Sequence, residues 1–352
     1  MRIIVDCQGG DNSPAAEVEG ALLALKENPE LRVVLLGDEA KLREVIERHK
    51  INTPRLEIVH APDVVTGNDK PTDAIRLKRD SSMIRGIKML REDETVDAMV
   101  SNGATGVLVA AATLRIGRIE GVRRPAFCPM VPNMQGGPVG VCDSGANVDV
   151  TPEMLQQFAI MGTHYMQVFR GIENPKVGLL NIGKEEEKGD DLRREAYKLL
   201  EKTPGINFCG NMEAREFLSG DFDLVVADGF SGNVLCKCAE GTALEVLKRL
   251  KRDINSKKQY QMGGLLMKKM FQEEKEFMNY LNYGGCALLG CEKVIIKGHG
   301  SSDRIATKVS IQQACKMLQG GMNEKIRESI ARVEALEREN TEGVRNAEGE
   351  EE

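Results

Sequence analysis

The segment "DGFSGN", Asp228 to Asn233, places an acid, two glycines, a serine and an asparagine within six residues. Two chemistries suit that composition. In a G-x-S-x-G turn the serine is a hydrolase nucleophile, but the second glycine of such a turn is replaced here by Asn233. The other is an anion cradle, in which glycine lets backbone N–H groups approach a ligand and the following helix start favours negative charge. A second segment favours the cradle. Asn102-Gly103-Ala104-Thr105-Gly106 and Asp228-Gly229-Phe230-Ser231-Gly232 share the pattern [DN]-G-x-[ST]-G, and each enters an apolar helical stretch. Ser231 therefore reads as a donor to an anion or oxyanion, with Gly103, Thr105, Gly229 and Asn233 beside it.

Further polar residues end other apolar runs. Asn181 and Lys188 lie in "LLNIGKEEEKG", and Lys78 lies in "KPTDAIRLKRD". "GLLNIGK" imitates a phosphate loop, but Glu185 stands where Ser/Thr would hold magnesium, and Gly178 falls inside the apolar run. Among four histidines, His299 in "KGHGSSD" alone has a glycine-rich polar setting; His49 sits on a polar helix, His60 at a strand end and His164 in a packed helix. "CKC" at Cys236–Cys238 is too tight for a zinc knuckle.

These residues need a scaffold that gathers strand ends. "RIIVD", "RVVLLG", "LEIVH", "DAMVS", "PVGVCD", "KVGLLNIG", "DLVVAD" and "KVIIK" read as strands, several apolar throughout as in a sheet covered on both faces. Helical patterns such as "AAEVEGALLALKE" and "EAKLREVIERH" lie between them. This alternation predicts an α/β fold with a mainly parallel sheet, whose ligands bind beyond the carboxyl ends of the strands. We expect one α/β/α domain over residues 1–335, a protruding helical hairpin at about 243–283, and an acidic disordered tail over 336–352.

Composition narrows the function. Net charge is −6, aromatics are 4 % and tryptophan is absent, which argues against nucleic-acid binding. No apolar run reaches the length of a membrane span, and "MRIIVD" leads straight into a strand pattern rather than a signal peptide. Nine scattered cysteines without a C-x-x-C pair read as reduced cytosolic thiols. No metal or cofactor is expected. In the hairpin, "QMGGLLMKKMF" sets an apolar tip among Lys257, Lys258, Lys268 and Lys269. That tip, residues 257–271, suits either an anionic membrane surface or a partner subunit.

Taken together the motifs resemble a family, the bacterial phosphate acyltransferases, which make acyl phosphate for phospholipid synthesis from acyl-[acyl carrier protein] and inorganic phosphate. "VDCQGGDN", "KPTDAIRLKRDSSM", "GRIEGVRRPA", "SGANVD", "VGLLNIGKEEEKG", "NFCGNMEAREF", "VADGFSGNV", "NYGGCALLG" and "IKGHGSSD" carry the resemblance over almost the whole chain. It implies an α/β/α sandwich like that of isopropylmalate dehydrogenases and phosphate acetyltransferases, a homodimer, and a cytoplasmic enzyme at the inner membrane face. Two departures stand out. Cys7 and Gln8 replace the usual alanine and methionine, so no catalytic thiol is implied, and Asn102 and Ala104 exchange the side chains of the usual S-A-G-N-T-G loop.

In that reaction phosphate is the nucleophile, so the protein needs only to hold a dianion and stabilise an oxyanion. Asp228 is the candidate to orient or deprotonate phosphate, its plainer alternative being a helix cap. His299 is the candidate proton donor to the departing thiolate, and Lys188 and Lys78 supply charge. Arg115, Arg118, Arg123 and Arg124 in "LRIGRIEGVRR" offer a basic landing patch for an acidic carrier protein. The competing readings are a coenzyme A-dependent phosphotransacetylase of similar fold and a non-catalytic lipid or anion sensor. A decarboxylating dehydrogenase is disfavoured by the lack of an acidic metal cluster or cofactor signature.

Overall fold

In the computed structural model, residues 1–51, 53–278 and 280–349 are described. The strands are β1 (Arg2–Asp6), β2 (Arg32–Gly37), β3 (Leu56–His60), β4 (Ala98–Ser101), β5 (Ala126–Cys128), β6 (Met130–Pro132), β7 (Pro138–Cys142), β8 (Lys176–Asn181), β9 (Asn207–Glu213), β10 (Leu224–Val226), β11 (Cys286–Leu289) and β12 (Val294–Lys297). The helices are α1 (Ala15–Glu27), α2 (Glu39–His49), α3 (Pro71–Leu77), α4 (Ser82–Glu92), α5 (Thr105–Ala111), α6 (Pro152–Tyr165), α7 (Asp191–Lys202), α8 (Gly229–Ser256), α9 (Lys258–Leu266), α10 (Lys268–Phe277), α11 (Arg304–Gln319) and α12 (Met322–Gly349).

The expected single sheet is two. A seven-stranded sheet runs β3-β2-β1-β4-β12-β11-β5, and a five-stranded sheet runs β6-β7-β10-β8-β9. The chain leaves the first at β5, crosses Pro129 into β6, and returns with β11 and β12. Most pairings are parallel; β11 with β12 and with β5, and β6 with β7, are antiparallel. Both sheets feed one apolar core, in which Ile3, Val5 and Leu35 of the first join Leu179, Leu224 and Val226 of the second. Inner strands such as β1, β2, β4 and β12 are buried along nearly their whole length because helices cover both faces.

Local chemistry sets the helix boundaries. Asp38 caps α2 by accepting from Ala40 N and Lys41 N, and Asp303 caps α11 by accepting from Ile305 N and Ala306 N. Beyond the second sheet, α8 is a single helix from Gly229 to Ser256, so the arm is rooted at the candidate site rather than at residue 243. The sequence "QMGGLLMKKMF" is itself helical, in α9 and α10, with a break at Met267, and a further break at Lys257 separates α8 from α9. Leu265 and Leu266 are exposed there, Leu266 at 88 %. The acidic stretch after residue 335, where no fixed structure was expected, continues α12 as helix to Gly349; residues 350–352 lie outside the described ones. No helix of the described residues is long and apolar enough to cross a membrane.

Candidate active site

Strands β4 and β12 lie side by side and end together, and β7 and β10 do the same in the other sheet. Between these two sets of strand ends lies a cleft of about 210 Å³. Thr105, Lys297 and His299 line it from the first sheet, and Ser144, Asn233 and Lys237 from the second. On α8, Asn233, Cys236, Lys237 and Glu240 all reach the cleft because their spacing puts them on one helix face.

The floor on the first-sheet side is a buried polar network. Ser101 Oγ donates to Asp6 Oδ2 at 2.7 Å, and Asn102 Nδ2 donates to Glu17 Oε1 at 2.8 Å. Burial pushes the Asp6 carboxyl up to about 6 and raises Glu17 as well. Asn102 thus points into the protein, and Ala104, with no side-chain cap bond, occupies the cap position of α5. The exchange of these two side chains relative to the family loop removes an amide from the cleft rim. Gly298 fits against Asn102 because a Cβ there would lie 1.8 Å from Asn102 Oδ1.

Asp228 heads the opposite wall and performs two structural tasks. Its Oδ1 accepts from Ser231 N at 2.8 Å, capping α8, and its Oδ2 accepts from Arg193 Nη2 at 2.6 Å. Arg193 Nη2 also donates to Ser231 Oγ at 3.2 Å. Just behind, Asn181 Nδ2 donates to Lys188 O at 3.0 Å and its Oδ1 accepts from Ile182 N at 2.8 Å, which closes the loop after β8.

The two near-repeats are therefore not equivalent. Asp228 is the cap of α8, whereas Asn102 lies two residues before the cap of α5. Their glycine amides are also committed: Gly103 N donates to Ser101 Oγ at 3.2 Å and Gly229 N to Asn147 O at 2.7 Å. Those two N–H groups do not form the expected oxyanion donors. Gly232 serves close packing, since a Cβ there would stand 2.0 Å from Asp143 O. Asp143 in turn holds its loop by accepting from Phe127 N, Ser144 N and Asn147 N.

Of the residues singled out in the sequence, Thr105, Asn233 and His299 meet in the cleft. Asp228, Ser231 and Asn181 form the cluster around Arg193 and α8's first turn. Lys188 is exposed on the loop after β8. Lys78 is not a cleft residue: its Nζ is held by Asp69 Oδ2 at 2.7 Å and Val64 O at 2.8 Å, a pairing that drops Asp69 to about 2. Arg115, Arg118, Arg123 and Arg124 are all exposed, and Arg118 donates to Arg123 O. Cys7 is buried, with burial pushing its thiol up, so it is no nucleophile.

His299 Nδ1 accepts from Ser301 N at 3.2 Å, so the neutral ring carries its proton on Nε2. Burial, followed by the charges of Lys237 and Lys297, lowers its pKa. The neutral ring is thus the prevailing form near neutrality.

Two residues with no place in the sequence reading complete the picture. Arg193 was hidden in the charged helix "DLRREA", where it reads as a solvated side chain. Lys297 closes the apolar run "KVIIK" and reads as a strand-end lysine in water, yet it is only 8 % exposed.

The fold is of the α/β class, with two mainly parallel mixed sheets whose strand ends meet at the cleft. Among solved structures, a phosphotransacetylase from Streptococcus pyogenes aligns with TM-score 0.62 at 16 % identity, covering 91 % of this chain and 94 % of that one. A branched-chain phosphotransacylase from Enterococcus faecalis gives TM-score 0.53 at 15 % identity, covering 90 % and 99 %. Sequence is more specific. A model of the family described as fatty acid synthesis protein matches residues 1–325. The phosphate acyltransferase of Clostridium tetani is 41 % identical over 336 residues, 96 % of this chain and 100 % of that protein. That of Halalkalibacterium halodurans is 42 % identical over 333 residues, 95 % and 97 %. The chain belongs to the phosphate acyltransferase family, acyltransferases of fatty acid and phospholipid synthesis.

Proposed function

We propose that the chain transfers a fatty acyl group from acyl-[acyl carrier protein] to inorganic phosphate, without an acyl-enzyme. The observation that carries this reading is the convergence of Thr105, Asn233 and His299 on one cleft between the strand ends of both sheets in a member of this family. Each supplies a hydrogen-bond donor, and none is set up as a nucleophile. A phosphate oxygen attacks the thioester carbonyl, the C–O bond forms, the C–S bond breaks, and the pantetheine sulfur leaves as a thiolate. Its ordinary thiol pKa of about 8.5 makes that thiolate a viable leaving group near neutrality.

The Thr105 hydroxyl and the Asn233 amide donate to the developing oxyanion. His299, held neutral, donates a hydrogen bond from Nε2 instead of releasing a full proton to the thiolate. Asp228 works as a positioning residue: by capping α8 and holding Arg193 it fixes the helix that presents Asn233. Lys188 adds charge at the approach. The exposed arginines 115, 118, 123 and 124 receive the acidic carrier protein, and the arm tip meets an anionic bilayer or the partner of a homodimer.

The deciding measurement is loss of acyl thioester with and without phosphate. Phosphate-dependent cleavage of the carrier-bound substrate supports the reading. Equal use of coenzyme A thioesters would favour a phosphotransacetylase, and no cleavage of either would leave a binding protein.

A further inference from the structure

A lysine buried beside a cleft normally finds a carboxylate, since an unpaired ammonium is costly to remove from water. Lys297 does not. Its Nζ donates to Asn102 O at 3.4 Å and to Gly298 O, both neutral carbonyls, and it makes no ion pair among the described residues. An ammonium has three donors, so one remains beyond the two carbonyls, and the side chain lines the cleft. The backbone around it is held in place, because Gly298 N donates to Ser101 O at 2.9 Å and locks the end of β12 onto β4.

We infer that the Lys297 ammonium is the anchor for the phosphate dianion, received at the cleft floor between Thr105, Asn233 and His299. This assignment rests on the reading of the cleft as a phosphate-consuming site, and it replaces the role that sequence reasoning gave to Lys78. A dianion seated there supplies a directly bonded counter-charge, which no carboxylate among the described residues gives Lys297. The two carbonyls fix the direction of the remaining N–H, which converts a flexible side chain into a preorganised donor.

The charged and titratable neighbours are of both signs. Asp6 on β1 and Cys286 on β11 face Lys297, Glu17 of α1 lies behind Asn102, and Lys237 and Glu240 face the cleft from α8. Burial outweighs the attraction of Asp6 and Cys286 and brings the Lys297 pKa down to about 8. Affinity for phosphate therefore falls as pH rises through that value in the free enzyme. His299, already neutral by then, does not produce the same limb.

The test uses the full chain in two measurements. In initial-rate assays with carrier-bound acyl substrate, Lys297→Met raises the KM for phosphate about tenfold or more, the loss expected for one charge-assisted hydrogen bond. The KM for the thioester stays within about twofold, and Lys297→Arg recovers part of the phosphate affinity. Separately, and without any turnover, millimolar inorganic phosphate raises the melting temperature of the wild type more than equal ionic strength of chloride does. That shift disappears in Lys297→Met and weakens above about pH 8. If Lys297→Met fails to fold, Lys297→Gln keeps a donor for the carbonyls without the charge and replaces it. A lowered kcat with unchanged phosphate KM, an undiminished phosphate shift in the variant, or no shift in the wild type would each overturn the assignment. Because the melting shift needs no thioester, it separates failure of this inference from failure of the proposed reaction.

Discussion

Arg193 Nη2 and Asp228 Oδ2 stand 2.6 Å apart across the gap between α7 and the first turn of α8, with both side chains mostly withdrawn from solvent. The same Asp228 also caps α8 through Ser231 N. One carboxylate thus ties together two helices and the loop that follows β10. Asp228→Ala removes the cap and leaves Arg193 with Asp190 as its remaining carboxylate partner, at a cost of about 3 kcal/mol in unfolding free energy. Asp228→Asn retains a cap acceptor and loses the ion pair; it folds, and its kcat falls at least about tenfold through misplacement of Asn233. Near-normal turnover in folded Asp228→Asn would remove Asp228 from the mechanism.

Gly232 and Gly106 occupy the same place in the sequence pattern but different surroundings. A methyl at Gly232 meets the Asp143 backbone carbonyl at 2.0 Å, which cannot swing aside, whereas one at Gly106 meets only Pro71 Cγ at 3.7 Å. Gly232→Ala should lower stability by about 3 kcal/mol or more, and Gly106→Ala should be close to neutral. Urea midpoints of the two variants check this, and equal midpoints would contradict the packing argument.

The Asp6 carboxyl gives a pH-dependent test. Its folded pKa of about 6 lies above the ordinary value of 3.8. A raised carboxyl pKa contributes stability that is complete below the unfolded value and is lost as pH rises through the folded one. Wild-type stability measured against Asp6→Asn should therefore decline between pH 3.8 and about 6. The total change is on the order of 3 kcal/mol. A difference that is flat over this range would show that Asp6 is ionised without penalty.

For the basic patch, Arg115→Glu combined with Arg124→Glu reverses two exposed charges beside the Thr105 loop. The KM for carrier-bound substrate should rise about tenfold at low salt and less at high salt, with the KM for phosphate unchanged. An unaltered carrier KM would place docking elsewhere.

At the end of the arm, Leu265→Glu with Leu266→Glu puts charge on two of its most exposed apolar side chains. Co-sedimentation with anionic vesicles should fall severalfold while the sedimentation velocity of the free protein stays constant. A change in sedimentation velocity with vesicle binding intact would assign the tip to the partner subunit instead.

Much of the framework was legible along the chain. "RIIVD", "RVVLLG" and "LEIVH" became β1, β2 and β3, and "AAEVEGALLALKE" and "EAKLREVIERH" became α1 and α2 with the same bounds. Continuous apolar runs and capping aspartates are local signals, and burial on both faces writes them plainly. The strands that escaped notice were β5, β6, β9 and β11. Three residues suffice for β5 and β6, β9 carries a bulge near Gly210 and alternates poorly, and β11 lies antiparallel within a glycine-rich segment. Their pairing comes from partners distant in sequence, and so does the division into two sheets.

For the site, the sequence by itself determined that polar residues end the strands, and it offered Thr105, Asn233 and His299 as candidates to meet an anion. Chemistry of side chains and the rule of strand ends suffice for that. Only the tertiary structure decided which of them face the cleft. Asp228 read as an acid to orient or deprotonate phosphate and is held by Arg193 from α7, while Asn102, in the near-repeat, is turned inward to Glu17. Lys78 is withdrawn by Asp69, while Lys297 is buried with its ammonium on two carbonyls and no direct ion pair among the described residues. Charge and hydrogen-bond partners come from elements tens to hundreds of residues away, and a residue's type does not record whether such a partner has already claimed it.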